Sequence, residues 1–153
     1  MAGSKRPISF WVIIVFLIVS LVLLLMGQTM AIFNYAFAVK LGLQEDVKEV
    51  SEYGVQINRA FGAGDTFVYI PLMAISLVGL LLKKRWSLIT TAAIMGISAY
   101  WAATVAFMLL FLVGVPNYNL EPGPEYWLFI GAYIIFGGWG VVYLIFRGDN
   151  IIN

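Results

Sequence analysis

Four long apolar stretches, separated by short polar breaks that hold nearly all the charge, constrain what this chain can fold into more than any other feature. They run over 8–26, 66–82, 86–115 and 126–146. At about 1.5 Å per helical residue, each is long enough, or nearly so, to cross a hydrocarbon layer about 30 Å thick. The pattern predicts an all-α integral membrane protein, a four-transmembrane-helix bundle forming a single membrane domain over 1–153. The expected spans are about 8–27, 65–82, 86–115 and 125–146, with an extracytoplasmic cap over 28–64.

Composition agrees and narrows the chemistry. The chain is 62% hydrophobic and only 11% charged, against roughly 25% charged residues in an ordinary globular protein. A water-soluble fold of this size could not hide so much apolar surface. There is no cysteine and no histidine. Disulfides, thiol relays of the vitamin-K-reductase kind, iron–sulfur sites, His-ligated haem and His-based zinc or copper sites are therefore excluded within this chain. No cofactor or metal is expected, and a net charge of +1 gives no argument for nucleic acid.

The basic residues set the expected orientation. Lys5, Arg6, Lys83, Lys84, Arg85 and Arg147 fall on one side of the spans. Lys40, Lys48 and Arg59 fall on the other, among seven acids: Glu45, Asp46, Glu49, Glu52, Asp65, Glu121 and Glu125. The positive-inside rule then places both termini in the cytoplasm, in a prokaryotic type of cell membrane. Ala36-Phe37-Ala38 has the form of a signal-peptidase site. The apolar run before it is about 19 residues, longer than the 7–15 of a signal h-region, and the site lies well downstream. The first stretch is accordingly read as an uncleaved span.

The cap has its own pattern. Leu43, Val47, Val50, Gly54, Ile57 and Phe61 recur at helical spacing, predicting an amphipathic helix between the first two spans. Its polar face, including Glu45, Glu49 and Glu52, is mainly acidic, unlike the basic face of a lipid-surface helix. It is expected to lie across the extracytoplasmic end of the bundle. The segment 29–41 either extends the first helix or bends over at the interface, with a kink easiest at Gly27 and Gln28. In the third and fourth spans, Ser98, Ala102 and Ala106, and Gly131, Gly137 and Gly140, predict close packing, because small residues let helix backbones approach in lipid. Pro71 is expected to kink the second span.

Candidate functional residues concentrate near the cap. Asp65, beside Gly62 and Gly64, either caps the second span or binds a cation, a proton or a substrate amine. Arg59, with Asn58, either clamps an anion or is a solvated surface residue. Tyr69, Tyr100 and Trp101, with Thr104, Tyr133 and Trp139, either line a pocket for a quinone or other lipid or simply pack. Gln28 and Asn34 are amides suited to interhelical hydrogen bonds. No acid or base lies in the middle of a predicted span, which weighs against an ion pump or channel.

The leading expectation is a non-enzymatic protein that uses the cap to bind a lipophilic small molecule or a partner membrane subunit, with the lipid bilayer as its surroundings. A membrane-embedded enzyme using Asp65 and Glu52 as acid/base groups and Arg59 as anion clamp is the alternative. A small transporter or channel subunit is the third.

Overall fold

The computed structural model describes residues 6–152; Lys5, counted above among the basic residues, lies outside them. Among the described residues the structure is helical, with no strand. The helices are α1 (Ile8–Phe33), α2 (Tyr35–Lys40), α3 (Val47–Leu81), α4 (Trp86–Phe111), α5 (Pro124–Arg147) and the single turn α6 (Asp149–Ile152). Four of these, α1, α3, α4 and α5, are long and apolar enough to cross a membrane.

Three helices differ from their sequence-based bounds, α4 by ending at Phe111 instead of 115. α1 extends past residue 27 to Phe33, so part of the 29–41 segment continues the first helix. Asn34 then breaks it at φ −155°, ψ 77°, and starts α2 by accepting a hydrogen bond from the Phe37 N–H on its side chain. α3 differs more. The amphipathic segment and the second span form one 35-residue stretch of helix with a break at Ser51 (φ 64°, ψ 169°), and from that break the cap helix continues into the second span rather than forming a separate helix across the bundle end. Its start is fixed by a capping box, in which Asp46 accepts from the Lys48 N–H and Glu49 reaches back to the Asp46 N–H.

Both α1 and α3 contain a π-helical segment, Leu25–Thr29 and Asp65–Tyr69. The first contains the Gly27–Gln28 step at which a kink was expected. The second immediately precedes Pro71, which has no N–H to give to the turn before it. The two segments face each other, joined by a hydrogen bond of 3.0 Å between the Thr29 and Thr66 hydroxyls. One turn away, Gly62 lies so close to α1 that a Cβ there would sit 2.5 Å from the Gln28 carbonyl oxygen.

α4 packs along α5, as the small residues predict. Cβ atoms on Gly137 and Gly140 would fall 2.6 Å from the Met95 carbonyl oxygen and 2.7 Å from the Met95 side chain. α3 packs on both α1 and α4. The main core is built mostly by α1, α3 and α4, with Phe10, Ile13, Leu17, Met73, Leu80, Ile94 and Met95 buried, and is completed by Leu144 of α5 and Ile151 of α6. The turn between α3 and α4 leaves no space at Gly79, where a Cβ would meet Trp86 and Ser87 at 2.6 Å.

Charge separates along the bundle. At one end Arg6 donates to the Leu81 carbonyl (3.0 Å) and stacks on Phe10, while Arg85 pairs with Asp149 at 3.4 Å. At the other, Asn119 in the α4–α5 connection binds the first turn of α3. Its backbone N–H donates to Glu49 O (2.7 Å) and its side-chain amide to Lys48 O (3.1 Å). Glu45, Asp46, Glu49 and Glu125 belong to this acidic end.

Candidate ligand cavity at the acidic end

α1 and α5 meet through a few side chains rather than along a packed seam. Ser9 donates to the Tyr143 hydroxyl (2.6 Å) near the basic end, and Phe16 rests on Tyr133 with ring centroids 5.2 Å apart. Along this gap an apolar groove of about 570 Å³ lies on the outer face of the bundle, between Trp11, Val15 and Val19 of α1 and Ala132 and Phe136 of α5. Above it, inside the acidic end, lies a cavity of about 350 Å³. Leu23, Phe129 and Tyr133 line both.

The cavity wall is apolar and the mouth is polar. Leu24 and Gly27 of α1, Phe61 of α3, Val105 of α4 and Ile130 of α5 form the walls, with Trp101 and Tyr133 as aromatic sides. Tyr133 packs on Phe129 with centroids 4.5 Å apart and donates to the Ser20 hydroxyl at 2.8 Å. Its polar tip is thereby satisfied.

At the mouth four side chains converge. Asn58 donates from its amide nitrogen to Glu45 Oε2 (2.7 Å) and to the Tyr35 hydroxyl (3.1 Å), and Tyr35 donates in turn to the Glu45 carbonyl (2.9 Å). The Tyr126 hydroxyl reaches Glu45 Oε1 at 3.5 Å, the outer limit of a hydrogen bond. Burial raises the Glu45 pKa above the ordinary glutamate value. Its hydrogen bonds, including that from Asn58, oppose the rise, and the nearby Glu49 charge adds to it. Gln28 and Gln44 also belong to the lining, but the Oε1 of each is covered by protein atoms and has no hydrogen-bond partner.

The residues singled out from sequence divide clearly. Asn58 and Trp101 line the cavity. Asp65 does not cap a helix: it has helical dihedrals (φ −63°, ψ −43°) inside α3, with its Oδ2 buried and unpartnered. The helix runs on through Gly62 and Gly64, and Gly62 makes the close contact with α1. Tyr69 is buried one turn on, with its hydroxyl against that of Ser98. Arg59 is exposed and bonds Gln56, which Glu52 also holds. The Asp65, Glu52 and Arg59 set named for an enzyme is thus not gathered at one point. Asn34 is spent as the α2 cap, and Tyr100 points outward, 74% exposed.

Glu45, Gln44 and Tyr126 were not singled out as site residues. The stripe reading placed Glu45 on a helix face, whereas it precedes the helix and turns inward. The signal was present in Asp46-x-x-Glu49, which marks Val47 as the first helical residue.

Compared with protein-family models, with curated proteins and with solved structures, the chain matches none of them.

Proposed function

We propose that the chain is a multi-pass integral membrane protein that binds a lipophilic, amphiphilic ligand in the cavity at its acidic end. Both termini are then cytoplasmic and the acidic end extracytoplasmic, as the basic-residue distribution favours. The observation that carries this reading is the shape of the α1–α5 gap. An apolar groove on the outer face of the bundle adjoins a cavity with apolar walls and polar groups at its rim, the two sharing Leu23, Phe129 and Tyr133, an arrangement suited to a molecule with an apolar chain and a polar head. In a bilayer the groove would face lipid, giving such a molecule a lateral route in. Outward-facing apolar side chains on all four long helices, such as Val15, Phe67, Ile89 and Phe146, fit a lipid surround better than water.

Native mass spectrometry of the gently purified protein, with extracted lipids identified alongside, tests the reading. A retained lipophilic molecule that is lost when Val105→Phe fills the cavity supports it. A protein that carries no lipophile, or carries the same one unchanged in Val105→Phe, overturns it; co-purification with another chain through the acidic end would favour an accessory subunit instead.

A further inference from the structure

The hydroxyl groups of the four spans fall into two sets. Within 8–27, 65–82, 86–111 and 125–146, every serine, threonine and tyrosine but two is buried or hydrogen-bonded inside the chain. The two are Tyr100 and Thr104 of α4. Tyr100 is 74% exposed and Thr104 partly exposed, and neither hydroxyl has a hydrogen-bond partner among the described residues.

Both belong to one stripe. Ala93, Ile97, Tyr100, Thr104, Phe107 and Phe111 recur at spacings of four, three, four, three and four, which keeps them on one side of a helix. All six are exposed or partly so, on the side of α4 that α3 and α5 leave uncovered. Tyr100 lies about 21 Å along the axis from Trp86, where α4 starts at the basic end, at about 1.5 Å per residue. In a hydrocarbon layer about 30 Å thick that level is inside the apolar core. Helical side chains lean toward the N-terminus of their helix, so the Tyr100 ring leans to the bilayer centre and away from the nearer surface. A hydroxyl there has lost water and gains no partner from lipid tails.

Resting on the membrane placement but not on the cavity, we infer that this stripe of α4 is the contact face of a two-fold dimer with a second copy of the chain. Copies in one membrane share an orientation, so a two-fold axis along the bilayer normal sets α4 parallel to its copy. Residues near that axis then face their own equivalents. A hydroxyl is donor and acceptor at once, so Tyr100 and Thr104 each find a match in the same residue of the copy. A lipid tail offers neither, and an unrelated helix would need hydroxyls at the same two levels. The small side chain of Ala93 lets the backbones approach toward the basic end. Toward the acidic end the contact covers Phe107 and Phe111, whose rings stack with centroids 5.8 Å apart. No residue of α4 lines the α1–α5 groove, so the dimer leaves that groove open.

The chain has no cysteine, which makes disulfide cross-linking of single-cysteine variants unambiguous. Membranes holding Ala93→Cys, Ile97→Cys or Ile135→Cys protein are washed with alkaline carbonate and then oxidised. The two stripe variants are expected to give a disulfide-linked dimer, and Ile135→Cys, at a position on α5 that is 68% exposed, to remain monomeric. Tyr100→Phe removes only the hydroxyl and is expected to weaken dimerisation about tenfold in a neutral detergent, read by analytical ultracentrifugation. Protein retained by the washed membrane without a stripe cross-link overturns the dimer and leaves the membrane reading standing. So does a stripe cross-link to a different chain, or equal cross-linking at 135. Equal dimerisation of Tyr100→Phe and the unaltered chain overturns it too. Release of the protein by the carbonate wash overturns both readings.

Discussion

The amide of Asn58, three turns into α3, donates to the carboxylate of Glu45 at 2.7 Å across the mouth of the cavity. This bond ties the segment before α3 back onto the helix it leads into. It also holds an acid at the rim of an apolar space, where desolvation disfavours its charge.

That arrangement makes stability depend on pH in a defined direction. Burial raises the Glu45 pKa in the folded protein above its unfolded value, so between the two values the folded state binds more protons than the unfolded one. Stability then falls as pH rises through that window. Glu45→Gln removes the charge and the window. Thermal melts at about pH 4 and about pH 8 should show the variant gaining on the parent at the higher pH and not at the lower.

Removing the donor acts the opposite way. Asn58→Ala deletes the bond that opposes the rise in the Glu45 pKa and leaves Glu45 Oε2 without it. A loss of about 1–3 kcal/mol is expected at neutral pH. In the double variant Asn58→Ala/Glu45→Gln much of that loss should be recovered, because no charge is left behind; a denaturant series on the four proteins checks the coupling.

Ser51 occupies φ 64°, ψ 169° inside α3, a conformation natural only to glycine. Ser51→Gly should stabilise the protein by about 1 kcal/mol despite the greater freedom of glycine in the unfolded chain. A higher melting temperature with an unchanged helical circular-dichroism spectrum is the expected outcome.

Neighbouring glycines in α5 should behave oppositely. At Gly137 a Cβ would press on the Met95 carbonyl and the Ala99 backbone, whereas at Gly138 it would meet nothing within 4 Å. Gly137→Ala is expected to cost about 1–3 kcal/mol by forcing α4 and α5 apart. Gly138→Ala should be neutral or gain up to about 1 kcal/mol from helix propensity. Detergent-resistance or steric-trapping measurements of the pair separate the two effects.

The long helices were legible because runs of apolar residues longer than a globular core needs leave few alternatives. The join between the cap helix and the second span was not. Gly62, Gly64 and Asp65 resemble a turn followed by a cap when read locally, and only the approach of α1 to Gly62 shows why glycine sits inside a helix. Tyr100 and Trp101 make the same point at the site. Consecutive helical residues point about 100° apart, so one ring lines the cavity while its neighbour faces outward, and the partner helices decide which. Glu45 was misplaced for a different reason: a helical stripe extended backwards past the capping box carried it onto a face it never joins.

The facing π-segments of α1 and α3 also separate the upper and lower halves of those helices. A π-turn holds one residue more than the α-turn it replaces, so it advances the following residues by about 100° relative to an unbroken α-helix. In α3 the cavity-lining Asn58 and Phe61 precede the π-segment and the core residues Ile70 and Met73 follow it, so the two faces are set independently. Removing one residue within 65–69 exchanges the π-turn for an α-turn and leaves both halves in register with their own neighbours. The same edit in the middle of α4, which has no such segment, would rotate half the helix out of its contact with Gly137 and Gly140. A one-residue deletion is thus best accommodated at the level of the Thr29–Thr66 contact, next to the cavity-lining Gln28.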